Sequence, residues 1–352
     1  MKKLAFLTIV LLSFSGITKA QDLHSSQFYE MSVMRNPALV GIFSGDYKAL
    51  VNYRRQWGSI SVPFQTYQSS IESRIKLNDH TDYLSVGLAA LYDKAGSTSF
   101  NSFYIYPAIN YNKSLEDAHH SYISVGITAG YAQRSLNIAK MTFGDQFDGG
   151  WYNPSIVTAD TKNDQKYQYW DIAAGISFNS TANDEALSYY IAVGAYRLNN
   201  PDGESSGNSR VNALKIPLKM TGNIGMRWAI QDHLIVNIDA NYIRQGQNNM
   251  LLAGGTVGFR SVNYEYRRQF GVYGGAYFRA GDAWIPTLKI DYNRVSFIAS
   301  YDVNYSGLKA ATASKGGMEI TLHVNGLLDQ GIFASDKVEC PRYGNDLLQP
   351  YR

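Results

Sequence analysis

Apolar and polar residues alternate with a period of two along most of this chain, in segments that recur about every twenty residues. In Ser121–Ala132, Ile123, Val125, Ile127, Ala129 and Tyr131 share one face, while Tyr122, Ser124, Gly126, Thr128 and Gly130 share the other. From Lys215 to Trp228 the apolar face is Ile216, Leu218, Met220, Ile224, Met226 and Trp228, opposed by Lys215, Lys219, Thr221, Asn223 and Arg227. Leu234, Val236, Ile238, Ala240 and Tyr242 oppose Asn237, Asp239 and Asn241; Leu288, Ile290 and Tyr292 oppose Lys289, Asp291 and Asn293. These are strands with one apolar face.

A water-soluble β-sandwich also alternates, so length and face content separate it from a membrane barrel. The segments reach the ~9 to 11 residues of a tilted spanning strand, against ~5 to 6 in soluble sheets. Tyr or Trp often closes the apolar face, as at Tyr53, Tyr92, Tyr131, Trp228 and Tyr242, which is the pattern of aromatic girdles at two membrane interfaces. Lipid offers backbone amides no hydrogen bonds, so such strands must close on themselves. The pattern predicts an all-β fold, a transmembrane antiparallel β-barrel, ahead of a sandwich.

Fourteen strands are predicted, at roughly 46–55, 63–74, 83–92, 101–113, 121–132, 167–178, 187–196, 215–229, 233–243, 249–262, 271–280, 284–293, 294–303 and 316–325; the even number matches bacterial barrels. With both strand ends of the barrel in the periplasm, the connections at 75–82, 114–120, 179–186, 230–232, 263–270 and 293–294 face inward and most are short. The long connections, 133–166, 197–214 and 304–315, all fall on the cell exterior, a segregation that outer-membrane barrels show.

Composition narrows the picture without changing it. The 352 residues are 45% hydrophobic, 17% charged and 13% aromatic, with 27 Tyr and 31 Gly, so the chain is not disordered. By length alone about two domains would be expected, but barrels of this size are single units. No run of 18 apolar residues exists for a helical bundle. Residues 1–20 have the layout of a secretory signal: Lys2 and Lys3, a mostly apolar Leu4–Phe14, then Thr18-Lys19-Ala20 at a cleavage point. Without Lys2, Lys3 and Lys19, the 32 basic residues fall to 29, against 29 acidic. A neutral mature chain gives no support to a nucleic-acid partner. Cys340 is the single cysteine, and it reads as an inert tail residue before an intermolecular link.

Candidate chemistry is sparse. His119 and His120 adjoin Glu116 and Asp117 in a predicted turn, but adjacent residues point apart and lack zinc spacing, so a solvated turn is the better reading. There is no nucleophile elbow, phosphate loop or dinucleotide fingerprint, and neither enzyme chemistry nor a cofactor is predicted; a barrel hydrolase with dispersed residues is the weakest alternative. Glu72, Asp171, Lys215, Lys219, Arg227, Asp239, Arg260, Lys289, Asp291 and Glu319 lie on polar faces. Their mixed signs favour a mutually paired, filled interior over a conducting pore. The exterior stretch Asn137–Trp151 carries Phe143, Phe147 and Trp151 beside Asp145, Asp148 and Gly149, either packed on one another or forming a protein-binding surface.

The ordered words of the chain are Ser26–Gly41 (SQFYEMSVMRNPALVG), Tyr53–Trp57 (YRRQW), Leu91–Gly96 (LYDKAG), Gln133–Asp148 (QRSLNIAKMTFGDQFD), Gly281–Tyr292 (GDAWIPTLKIDY), Ser300–Leu308 (SYDVNYSGL), Lys315–Leu322 (KGGMEITL) and Cys340–Tyr343 (CPRY). As a set they resemble the PorP/SprF family of outer-membrane proteins, over nearly the whole mature chain. The resemblance implies a barrel of the type IX secretion and gliding machinery. It would be either the core barrel working with periplasmic ring proteins or a dedicated partner for a surface adhesin with a type B C-terminal domain; the enlarged exterior loops lean toward the second. A solute channel or transporter is the competing class.

On this reading residues 21–45 form a periplasmic or lumenal segment, 46–326 the barrel and 327–352 a periplasmic tail. Phe143, Asp145, Phe147, Asp148, Trp151, Asn199 and Tyr305 are the candidate exterior contacts for the adhesin. Phe28, Tyr29, Cys340, Pro341, Arg342 and Tyr343 are the candidate contacts for a periplasmic ring lipoprotein. Outer-membrane lipid is the remaining partner. Gly317, Ile320 and Leu322 fit the spacing of a last-strand assembly signal.

Overall fold

The computed structural model describes residues 23–77, 81–96, 100–136, 141–148, 150–158, 165–182, 186–205, 214–231, 233–263, 268–307 and 309–326. Its strands are β1 (Tyr47–Gln56), β2 (Phe64–Lys76), β3 (Tyr83–Ala95), β4 (Phe100–Ser114), β5 (Tyr122–Leu136), β6 (Phe147–Asp148), β7 (Trp151–Tyr152), β8 (Gln165–Ala182), β9 (Leu187–Tyr196), β10 (Asp202–Ser205), β11 (Leu214–Lys215), β12 (Lys219–Gln231), β13 (Leu234–Gln245), β14 (Asn248–Asn263), β15 (Arg268–Arg279), β16 (Ala283–Tyr292), β17 (Val295–Asn304) and β18 (Lys315–Gly326).

Fourteen of these strands, all but β6, β7, β10 and β11, pair antiparallel with their neighbours in one closed barrel. The seam between first and last strands is complete, from Tyr47 opposite Gly326 to Gln56 opposite Gly317. β8 and β9 close the other junction from Ala173–Tyr196 to Ala182–Leu187. No helix among the described residues is long and apolar enough to cross a membrane; the crossing is made by strands.

Alternation assigns the faces. Along β5 every residue from Ile123 to Ala129 alternates between exposed and buried, with Ile123, Val125 and Ile127 outside and Ser124, Gly126 and Thr128 inside. The outer face is therefore the apolar one, as burial in lipid requires. Aromatic rings meet at its edges: Tyr53 with Tyr67 (5.1 Å), Tyr131 with Trp170 (5.6 Å) and Phe278 with Trp284 (5.9 Å) toward the exterior, and Phe178 with Tyr189 (6.3 Å) toward the periplasm.

Two strand expectations need correction. The segment expected at 215–229 starts at Lys219, because Pro217 has no N–H to offer a ladder. Lys215 lies instead in β11, paired with Asp202 of β10, and is not part of the barrel strand. Strands β5 and β8 also run past their expected ends, to Leu136 and from Gln165 to Ala182: their exterior extensions remain paired with each other, and the periplasmic end of β8 remains paired with β9.

Candidate functional site: a filled lumen and an exterior hairpin

Residues 23–45 lie inside the barrel. Short helical turns at Phe28–Glu30, Ser32–Arg35 and Pro37–Leu39 fold the segment back and forth instead of letting it extend. Asn36 starts the last turn, its side chain accepting from Ala38 N (2.9 Å) with Pro37 in the first position, where no N–H is needed. Buried backbone groups must be paired, and here the wall does the pairing. Tyr196 Oη donates to Val33 O (2.6 Å), Asn110 Nδ2 to Ala38 O (3.0 Å) and Val40 O (2.8 Å), and Ser177 Oγ to Ala38 O (2.9 Å). Gly41 N donates to Glu72 (3.0 Å). That is why the inner faces of β2, β4, β8 and β9 carry Glu, Asn, Ser and Tyr where a dry core would carry Leu or Val.

The segment climbs as it is followed back toward its start. Asp46 N bonds Gly326 O (2.7 Å) at the periplasmic rim. Glu30 lies higher, against Lys48 and His323, and His24 O accepts from Arg54 near the exterior end of β1. Leu23 and His24 border a cleft with Lys219, Gln245, Asn248 and Met250, at the exterior ends of β12, β13 and β14.

Ion pairs fasten it at two levels. In the upper layer Asp302 joins Arg54 (2.8 Å) and Arg279 (3.0 Å) and accepts from Ser26 Oγ (2.6 Å). Glu319 accepts from Ser26 N (2.7 Å), Asn52 Nδ2 (2.8 Å) and Ser25 Oγ. In the lower layer Glu30 pairs with Lys48 (3.2 Å) and accepts a hydrogen bond from His323 Nδ1 (2.8 Å). Burial pushes the Glu30 carboxyl up, but His323 and Lys48 more than offset this and hold it well below the usual carboxylate range. The interior is thus paired and filled, as its mixed signs suggested, with many partners supplied by the N-terminal segment.

On the exterior, β6 and β7 form a small hairpin in which Phe147 packs on Tyr152 (5.8 Å) and Trp151 is 82% exposed. Phe143 and Asp145 lie at its base; Phe143 N donates to Gln146 Oε1 (3.0 Å), and Asp145 accepts from Thr158 Oγ1 (2.9 Å). Asp148 is exposed beside Trp151. These five residues are brought together. Asn199 and Tyr305 are not part of that group. Asn199 fills a gap in the β8 ladder, accepting from Ile172 N (3.2 Å) and donating to Trp170 O (2.8 Å). Tyr305 stands across the mouth, its hydroxyl accepting from Gly281 N (2.7 Å) and donating to Arg279 O (3.2 Å).

Phe28 and Tyr29 sit in the lumen, Tyr29 stacked on Tyr277 and Phe28 edge-on to it, and not on the periplasmic surface. Cys340, Pro341, Arg342 and Tyr343 lie outside the described residues. His119 occupies a periplasmic turn whose carbonyl accepts from Thr181 N (2.9 Å); no three His, Cys, Asp or Glu side chains converge as a metal site among the described residues. Sequence reading passed over Ser26, Glu30 and Asn36; for Asn36, the Pro that follows it is a helix-start signature that could have marked it.

A closed barrel with an apolar outer band, aromatic edges and a polar interior is an integral outer-membrane β-barrel, here one plugged by its own N-terminal segment. The type IX secretion system membrane protein PorP/SprF family model matches residues 17–324, and the chain belongs to that family. No curated protein matches the sequence. Among solved structures it is similar to CdiB from Acinetobacter baumannii, at 10% identity and TM-score 0.40, covering 80% of this chain and 60% of that one; the chain thus spans about three fifths of CdiB. It is also similar to the CymD monoaromatic hydrocarbon channel, at 11% identity and TM-score 0.43, covering 88% and 94%. The translocator domain of the autotransporter NalP from Neisseria meningitidis follows at 8% identity and TM-score 0.42, covering 81% and 89%.

Proposed function

We propose that this protein is a non-enzymatic component of the type IX secretion and gliding machinery that supports secretion of a surface adhesin and anchors it through a type B C-terminal domain. The observation that carries this reading is the filled lumen. A lumen occupied by a segment bonded to the wall at many points is poorly arranged for bulk solute traffic, and it leaves the exterior mouth as the surface free to work. There the β6–β7 hairpin offers Phe147, Trp151 and Tyr152 to a partner, with Asp145 and Asp148 at the rim. Buried aromatic anchors ringed by polar residues give slow dissociation, which an adhesin under shear needs. On the inner side, Cys340–Tyr343 would dock a periplasmic ring lipoprotein.

The test compares surface proteins and solute uptake of deletion and parent cells. Loss of one large adhesin from the surface with uptake unchanged supports the proposal; altered uptake with an unchanged secretome supports the solute-transporter alternative. Truncation after Gly331 should weaken co-recovery of the ring lipoprotein, and unchanged recovery would remove the docking claim.

A further inference from the structure

The segment does not fill the lumen evenly. Val33 and Val40 pack with Ala89, Leu91, Tyr104 and Ala173 on the β3, β4 and β8 side. Along the opposite wall two spaces remain. The lower one spans about 810 Å³, solvent-open space included, and is lined among others by Glu30, Lys48, Asp239, Lys289, His323 and Asn325. Asn325 is 5% exposed, and its Oδ1 has no protein hydrogen-bond partner there. An unpaired buried acceptor in a roomy polar space is a place for water. The upper space, about 340 Å³ with its solvent-open part included, is the exterior cleft between Leu23, His24 and the outer ends of β12–β14.

One apolar cluster lies between them. Phe28, Leu252, Tyr277 and Ile285 are buried together, with Tyr29 and Met250 packed against them. Tyr29 stacks on Tyr277 at 4.8 Å, and Phe28 meets both rings edge-on at 5.5 and 5.7 Å. Tyr277 also lines the lower chamber and Met250 the upper cleft, so this cluster is the partition between the two. Leu252 and Ile285 are fixed in strands, whereas Phe28 and Tyr29 belong to the lumenal segment.

We propose that Phe28 and Tyr29 are an apolar gate in a closed conduit along the β12–β16 wall, a path for water and small ions between periplasm and exterior. An apolar constriction a few ångströms wide stops ions by excluding water, and widening it by two ring volumes restores a wet path. The chamber is lined by both signs, Lys48 paired with Glu30 and Lys289 and Asp239 beside them, so the conduit selects weakly by sign. Opening needs the two rings to turn aside, not the segment to leave. The inference is independent of adhesin anchoring.

The test is ion conductance of the full chain in planar bilayers, with the segment stapled in place. The Cβ of a side chain at Gly87 would stand 3.0 Å from Val40 Cγ1, so Val40→Cys with Gly87→Cys, in a Cys340→Ser background, can join segment and wall by a disulfide. The stapled protein should be nearly silent. Adding Phe28→Ala and Tyr29→Ala should raise conductance by about an order of magnitude with the staple oxidised, whereas adding Val33→Ala, on the packed side, should leave it silent. A folded double variant that stays silent overturns the gate. So does a rise seen only after the staple is reduced, which would mean that the whole segment leaves, or an equal rise with Val33→Ala.

Discussion

Glu30, on the lumenal segment, accepts from His323 Nδ1 of the last strand at 2.8 Å, and the same carboxylate pairs with Lys48 of the first strand. One side chain therefore ties the segment to both strands of the closing seam. A carboxyl held below its ordinary value stabilises the folded state fully above the unfolded pKa, about 4.3, and that contribution is lost as pH falls through the folded value. The temperature at which the folded barrel band disappears on semi-native gels should fall in acid for the parent. Glu30→Gln should lower it already at neutral pH and flatten the acid limb, since breaking a buried pair costs about 3 to 5 kcal/mol. Superimposable pH curves for the two proteins would show that the pair does not hold the segment.

Glu319 is the second tie. It accepts from Ser26 N and from Asn52 on β1, and Arg54 approaches at 3.6 Å. Glu319→Gln keeps the shape and removes the charge, so the upper part of the segment should loosen while the strands stay paired. The Ser26 and Gln27 amides, which donate to Glu319, should then exchange with deuterium faster in an otherwise intact barrel. Equal exchange in parent and variant would mean that the lower tie alone suffices.

Gly126 tests how closely the segment is seated. A Cβ there would stand 2.3 Å from the Pro37 carbonyl carbon and 2.4 Å from Ala38 N, and backbone atoms cannot swing aside as a side-chain end does. Gly126→Ala should destabilise by about 1 to 3 kcal/mol through overpacking, read as an earlier gel transition. Gly222→Ala, where nothing lies within 4 Å of the new carbon, should not shift it.

The contrast between Gly126 and Gly222 also marks what the sequence could convey. Strand number, facing and loop segregation were legible because every strand obeys the same period-two rule, and Ile123, Val125 and Ile127 advertise lipid as plainly as Ser124 and Thr128 advertise the interior. A filled interior was legible from its mixed charges, but the fold of the segment that fills it was not. Residues 23–45 have no period, and their turns are set by contacts with strands far away in sequence, such as Val33 O with Tyr196. The exterior candidates were half legible: a loop sequence shows that Phe147 and Trp151 are aromatic, but not that Asn199 is committed to the β8 backbone or Tyr305 to Gly281.

That difference separates anchoring from bracing at the exterior mouth. Trp151 is 82% exposed, so Phe147→Ala with Trp151→Ala should leave barrel stability within about 0.5 kcal/mol of the parent. If the hairpin holds an adhesin, each lost anchor costs about 2 kcal/mol of binding, mostly as faster release, and cells should shed the adhesin under flow. Asp145→Lys should act more weakly, through charge steering and the loss of its bond to Thr158. Tyr305→Phe removes the hydroxyl that accepts from Gly281 N; it should loosen the 280–282 turn without releasing adhesin. If the aromatic double variant is present at normal levels and still retains every surface adhesin under shear, the hairpin is not the anchoring surface.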